Sequence, residues 1–247
     1  MLSDTLIIPD WPAAETVRAI STTRLGGESL SPYDSLNLGT HVGDTPADVV
    51  RNRDILLQQA ALPAPPLWLN QVHGTDVLTA NDWHAGVEAD AIYSQQSQQV
   101  CAVMTADCLP VLFTDKQGTQ VAAAHAGWRG LLAGVLENTI NQFDGKREDI
   151  LVWLGPAIGP QQFEVGQEVY DAFTRHSPRA GDAFVVTDTQ HYLADIYQLA
   201  KLRLLAAGIK HISGGDFCTV TEAERFFSYR RDGVTGRMAS LIWILTK

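Results

Sequence analysis

An α/β protein with mixed sheets is the fold class this sequence predicts, on three observations. Apolar runs of strand length crowd the middle of the chain, and Val100-Cys101-Ala102-Val103-Met104 is apolar throughout, as in a strand covered on both faces. Four other segments carry helical spacing or helix-end signals. Strands outnumber helices and do not alternate with them regularly, so a Rossmann or TIM-barrel arrangement fits poorly.

Taken in order, the first strand is expected over Val17 to Thr23, ending in the turn Arg24-Leu25-Gly26-Gly27, and Ser31 to Gly39 reads as an irregular loop. Thr45 followed by Pro46, with Asp48 in the first turn, marks a helix start. That helix runs to about Ala60 with Val49, Leu56, Leu57 and Ala60 on its apolar side. The proline-rich Leu62-Pro63-Ala64-Pro65-Pro66 turns the chain into strands at Leu67–Val72, Ala89–Tyr93, Val100–Thr105, Val111–Thr114 and Gln120–His125. After Gly127, Leu131, Leu132, Val135, Leu136, Ile140 and Phe143 recur at helical spacing. Ile150–Leu154 is a further buried strand. Helices follow at Gly166–Arg175 and Ala194–Ala207, the second closed by Gly208, and the last strand is Met238–Leu245. No repeat, low-complexity tract or linker divides the chain, so residues 1–247 are expected to form one domain.

Composition narrows the partners. The net charge is −10 with no Lys/Arg cluster, which argues against a nucleic-acid backbone or an anionic membrane surface and leaves small molecules. Leu241–Leu245 is too short to span a bilayer. Met1–Thr5 lacks the basic and apolar regions of a signal peptide, so a cytoplasmic protein is expected. Three cysteines with no close pair suit a reducing compartment.

Three residues of metal-ligand type stand in short phrases rich in Gly, Pro or Ala. His73 lies in Asn70-Gln71-Val72-His73-Gly74, Cys108 in Thr105-Ala106-Asp107-Cys108-Leu109-Pro110, and His125 in Ala124-His125-Ala126-Gly127-Trp128-Arg129-Gly130. Two imidazoles and a thiolate suit zinc, and three ligands leave a position open for water or substrate. Their spacing matches no local metal motif. Each does sit at or just beyond the end of an expected strand, so the three could converge on one rim of a sheet.

These phrases, with Ser21-Thr22-Thr23-Arg24, Asp34-Ser35-Leu36-Asn37-Leu38-Gly39, Gly155-Pro156-Ala157-Ile158-Gly159-Pro160, Phe163-Glu164-Val165-Gly166 and Phe227-Ser228-Tyr229-Arg230-Arg231-Asp232, closely resemble the YfiH family over nearly the whole chain. That family is also called laccase-domain, multicopper polyphenol oxidase or peptidoglycan editing factor. The resemblance implies α/β/β/α layering similar to a toxin-like cysteine hydrolase, and a zinc site at His73, Cys108 and His125. It further implies phosphorolysis of adenosine, inosine and methylthioadenosine, together with deamination of adenosine.

Such chemistry needs an anion pocket and a purine pocket. Arg24, Arg129, Arg230 and Arg231 are candidates for phosphate, Arg129 because a helix start would direct free N–H groups outward there. Asn37 is a candidate for ribose or base, or else a turn brace. Asp107 could orient a ligand or accept a proton, and His41 could approach the site. Copper in a multicopper oxidase fits badly: the chain has seven histidines and no His-x-His pair. Two rivals stay open, a metal-free hydrolase with Cys108 as nucleophile and His125 as base, and an enzyme that edits peptidoglycan precursors. Oligomeric state leaves no signature.

Overall fold

The computed structural model describes residues 5–246; the leader-free reading of Met1–Asp4 lies outside them. In chain order the strands are β1 (Leu6–Ile7), β2 (Val17–Thr22), β3 (Val77–Thr79), β4 (Ala91–Ser94), β5 (Cys101–Thr105), β6 (Leu109–Asp115), β7 (Val121–Ala126), β8 (Ile150–Leu154), β9 (Glu164–Gly166), β10 (Phe184–Val186), β11 (His191–Ala194), β12 (His211–Gly214) and β13 (Met238–Ile244). The α-helices are α1 (Pro46–Gln59), α2 (Trp128–Ala133), α3 (Val135–Ile140), α4 (Gln167–His176), α5 (Ile196–Ala206) and α6 (Tyr229–Asp232).

A four-stranded antiparallel sheet runs β1-β2-β13-β5, and a six-stranded mixed sheet runs β12-β8-β6-β7-β4-β3, with parallel pairs at its two ends only. Successive side chains leave a strand on opposite faces, and three cores result. Ala19, Cys101, Val103 and Ile242 of the smaller sheet meet Ile92, Leu112, Ala123 and Trp153 of the larger. The other face of the larger sheet, with Ala91, Val111, Phe113 and Val152, packs under Leu131, Leu136, Val169 and Leu199 from α2 to α5. The other face of the smaller sheet, with Ile20, Ala102 and Leu241, packs on Leu56 of α1. The order of layers is therefore α/β/β/α, in a mixed α+β fold as expected.

Several elements differ from expectation. Leu67–Val72 forms no strand: Leu67 bridges to Cys101 and Asn70 to Glu88, two different partners, so no ladder develops. Gln71 instead clamps Met104 with its side chain, donating from Nε2 to the carbonyl oxygen at 2.8 Å and accepting the amide at Oε1 at 2.7 Å. The helix expected after Gly127 is broken by Gly134, whose φ of 108° separates α2 from α3. The small antiparallel sheet β10-β11-β9 was not foreseen, and neither were β1, β3 and β12. Among the described residues, no helix is long and apolar enough to cross a membrane.

Candidate metal centre and its flanking cavities

Sheet register assembles the site. Across β6 and β7, Leu109 lies opposite Ala126 and Pro110 opposite His125, so Cys108, one residue before β6, arrives beside His125. Across β4 and β7, Ala91 lies opposite Ala124, so Asp90, one residue before β4, also stands next to His125. β3 runs parallel to β4, which brings His73, a few residues ahead of β3, to the same end of the sheet. The ligand atoms of His73, Cys108 and His125 lie within 4.8 Å of one another. Cys108 Sγ is 3.8 Å from His73 Nε2, and the two imidazole rings meet edge to face at 4.7 Å. This donor set can hold a metal ion, and its softness and number suit zinc.

Asp90, a residue the sequence did not single out, organises the centre. It is fully buried. Oδ1 accepts from His125 Nδ1 at 2.7 Å and from the His73 amide at 3.0 Å; Oδ2 accepts from the amides of Val72 at 3.1 Å and Gly74 at 2.6 Å. One carboxylate thus fixes both a ligand ring and the backbone that carries the other imidazole. With Nδ1 engaged, His125 turns Nε2 toward the centre. His73 itself has φ of 59°, a left-handed conformation that costs about 1–2 kcal/mol for a residue with a Cβ, and the three converging amides account for it. Burial would raise the Asp90 carboxyl, but the His125 hydrogen bond and charge, with the Gly74 and Val72 amides, hold it below its ordinary range.

The thiol and imidazole act on each other in the same way. Burial opposes ionisation of Cys108, yet the charge and hydrogen bonds of His125 and then His73 draw its thiol down. Burial opposes protonation of His125, yet the Cys108 charge and the Asp90 hydrogen bond draw it up. Glycines make room for this cluster. A Cβ on Gly127 would meet His73 Cδ2 at 2.9 Å and Cys108 Sγ at 3.1 Å.

Two cavities open onto the centre, and His73, Cys108 and Tyr229 line both. The first, about 450 Å³, continues past Trp128, Phe163 and Val169 and has Arg129 and Arg230 in its wall. The second, about 390 Å³, lies on the His125 side and includes His41 and Arg237. A larger cavity of about 600 Å³ beside Trp11 and Trp243 contains no His or Cys and lies apart from the centre.

The other expected site residues divide. Asp107, at φ of 90°, lines the first cavity. Its carboxylate accepts from Thr219 Oγ1 and the Arg230 amide, each at 2.6 Å, and so ties two loops to the centre. Arg230 reaches the Gln162 and Glu164 carbonyls and has no acidic partner among the described residues. Arg129 is exposed over Trp128, but the helix-end argument for it fails, because α2 is only six residues long. Arg24 is not brought to the centre: it pairs with Asp34, donates to the Ala223 carbonyl and lines a separate cavity. Arg231 is taken up by Asp232 and by the carbonyls of Thr219, Val220 and Phe226.

Asn37 is fully buried and lines neither cavity at the centre; it braces the turn, accepting the Gly39 and Arg237 amides at Oδ1 and donating to Asp44 and the Gly39 carbonyl. Cys101 is core, its thiol pushed up to about 12 by burial. Cys218 is half-buried rather than core, and accepts the Gly159 amide at 3.3 Å. The signal that could have exposed Asp90 is positional only, an acid directly before a strand that neighbours the His125 strand.

The sequence pattern of a family described as multi-copper polyphenol oxidoreductase laccase matches residues 18–245. The chain is 58% identical over 244 residues to the purine nucleoside phosphorylase YfiH of Escherichia coli K12, covering 97% of this chain and 99% of that protein. A crystal structure of a Neisseria meningitidis protein, 52% identical, superposes with a TM-score of 0.95 over 98% of this chain and all of that one. YlmD from Geobacillus stearothermophilus, 36% identical, superposes with a TM-score of 0.85 over 95% of this chain and 94% of its own.

Proposed function

The chain belongs to this laccase-domain (YfiH) family, and from that membership and the geometry above we propose that it is a zinc-dependent purine nucleoside phosphorylase. Adenosine, inosine and methylthioadenosine are its substrates, adenosine deamination is a second activity at the same centre, and it works in the cytoplasm on small molecules. The observation that carries the proposal is the His-Cys-His cluster at the meeting point of two cavities, in a chain 58% identical to a protein named for that activity.

In phosphorolysis an oxygen of hydrogen phosphate forms a bond to the ribose C1′ as the C1′–N9 bond breaks. The electron pair leaves with the base, which takes up the proton that the phosphate brought. Two reactants must therefore be held on either side of one carbon, a requirement that two adjoining cavities can meet. Zinc held by His73, Cys108 and His125 would supply Lewis-acid activation of water or substrate at neutral pH. Seven histidines without a His-x-His pair argue against four-copper laccase chemistry, whatever the family's description says.

One observation favours a second reading. Asp90, His125 and Cys108 stand in the order acid, base, nucleophile, with 2.7 Å between Asp90 and His125, as a metal-free thiol hydrolase acting on cell-wall precursors would need. His73, 3.8 Å from the thiol, has no role in that scheme.

Chromatography of each nucleoside incubated with purified protein, with and without phosphate, tests the proposal when run beside His73→Ala and a metal analysis. Free base plus ribose-1-phosphate formed only with phosphate, lost in the variant, with about one zinc per chain, is the expected result. Unchanged nucleosides and a metal-free protein whose Cys108 alkylates rapidly would transfer the assignment to the thiol hydrolase.

A further inference from the structure

The two cavities that meet at the centre differ in charge. In the wall of the first, Arg129 and Arg230 are accompanied by Glu164, Glu168 and Asp107, three carboxylates against two guanidiniums. The second contains Arg237 and His41 and no carboxylate. Arg237 is half-buried, yet among the described residues its side chain donates only through Nη1, to the Thr235 and Gly236 carbonyls at 3.0 Å each, and it joins no ion pair. Cys108 and Asp107 act on it only through their charge, without a hydrogen bond, and an anion in the adjoining space would supply the direct partner that this guanidinium lacks.

The position is also built. Buried Asn37 accepts the Arg237 amide at 2.9 Å, and the arginine stem lies against Gly39, where a Cβ would meet Arg237 Cγ at 2.8 Å. Asn37 therefore acts on the site through Arg237. The first cavity has the opposite character. Trp128, Ile158, Phe163 and Val169 offer apolar and aromatic surface for a purine, and the carboxylates of Glu164 and Glu168 can accept from ribose hydroxyls but repel a phosphate dianion.

We propose that inorganic phosphate binds in the second cavity at Arg237 and His41, and that the nucleoside occupies the first, with its C1′ between them at the His-Cys-His centre. This assignment rests on the phosphorylase reading, but its anion subsite can be tested without it. It also sets aside all four arginines that the sequence suggested for phosphate, Arg24, Arg129, Arg230 and Arg231, in favour of one it did not.

The experiment is paired. Steady-state phosphorolysis with phosphate varied at saturating nucleoside, and the reverse, is measured for wild type, Arg237→Gln, Arg237→Lys, His41→Ala and Arg129→Gln/Arg230→Gln. The same proteins are titrated with inorganic phosphate alone by calorimetry. Arg237→Gln and His41→Ala are expected to raise the KM for phosphate by roughly 10- to 100-fold, with the KM for nucleoside within about two-fold of wild type and partial recovery in Arg237→Lys. The Arg129→Gln/Arg230→Gln variant is expected to raise the nucleoside KM instead.

An increase in phosphate KM confined to Arg129→Gln/Arg230→Gln would overturn the assignment while leaving the phosphorylase intact. Phosphate binding that depends on Arg237, in a protein without phosphorolysis, would keep the subsite and remove the phosphorylase reading. Neither binding nor phosphate-dependent turnover in wild type would remove both. His41 is exposed, so His41→Ala carries the test if Arg237→Gln proves unfolded by circular dichroism.

Discussion

Asp90→Asn removes one charge and keeps the heavy-atom count, which makes it the sharpest probe of how the centre is held. The present carboxylate takes four hydrogen bonds from donors only: His125 Nδ1 and the amides of Val72, His73 and Gly74. An asparagine can keep its oxygen toward Val72 and Gly74, but its NH₂ then faces the His73 amide and His125 Nδ1. The His73 N–H loses its acceptor. His125 can meet the NH₂ only by accepting at Nδ1, which places its proton on Nε2, the nitrogen that a bound metal would need free. Flipping the amide leaves the Val72 and Gly74 donors unmatched instead, so neither orientation is satisfied.

Losing a charge-assisted bond costs about 1.5–3 kcal/mol and stranding a buried N–H about 1–3 kcal/mol, roughly 2.5–6 kcal/mol together. For a chain of this length that is a fall in Tm of about 5–20 °C. Zinc affinity should fall by roughly 10- to 100-fold, the usual consequence of losing the partner of a ligating imidazole. Calorimetry of the metal-free proteins gives the first quantity, and competition against a zinc-binding dye gives the second. Wild-type zinc affinity in Asp90→Asn would refute the claim that this carboxylate sets the tautomer; an unchanged Tm would refute its role in holding the His73 turn.

Two further outcomes follow from the same geometry. Gly127 has φ of −62° and ψ of 157°, which alanine adopts freely, so Gly127→Ala acts only by pushing its methyl into His73 and Cys108; zinc affinity should drop about ten-fold or more with Tm lowered by only a few degrees, and an unperturbed affinity by dye competition would show that the ligands are not so close. In metal-free protein with Cys218 replaced by Ser, iodoacetamide should alkylate Cys108 at a rate rising through pH about 6 rather than 9, since His125 and His73 outweigh the burial that opposes the thiolate. The depressed thiol loses its stabilisation as pH falls through about 6, whereas the raised His125 loses its own as pH rises through about 9, so the two opposite slopes cancel and the Tm of that protein should change little on their account between pH 6 and 9; a rate that climbs only above pH 8 would contradict the thiolate–imidazolium pair.

What the sequence makes legible here is the set of side chains whose neighbours are themselves constrained. His73 is followed by Gly74, Cys108 by Leu109-Pro110 and His125 by Ala126-Gly127-Trp128-Arg129-Gly130, and two of these glycines have a structural cause: a Cβ on Gly130 would sit 2.8 Å from the Gly74 carbonyl, and Gly127 clears His73 and Cys108. The strands that carry them are legible as well, because β5 to β8 are buried throughout and read as largely apolar runs. The short strands β9 to β11 are three or four residues long and partly exposed, too brief for any period to register.

Asp90 and Arg237 escaped for a different reason. Each is a charged residue at a strand boundary, which locally looks like any surface cap. Asp90 becomes a ligand-holding carboxylate only because Ala91 pairs with Ala124, and Arg237 becomes a cavity cation only because Asn37, 200 residues earlier, accepts its amide. Asn37 was legible with two roles open, and the structure favours the turn brace, which supports the site from behind. The centre's first layer is thus written in local sequence, whereas the residues that aim and charge it are specified by register and by contacts between distant segments. Substitutions at the second group should leave the ligand phrases intact and still disable the site, and Asp90→Asn separates the two layers most cleanly.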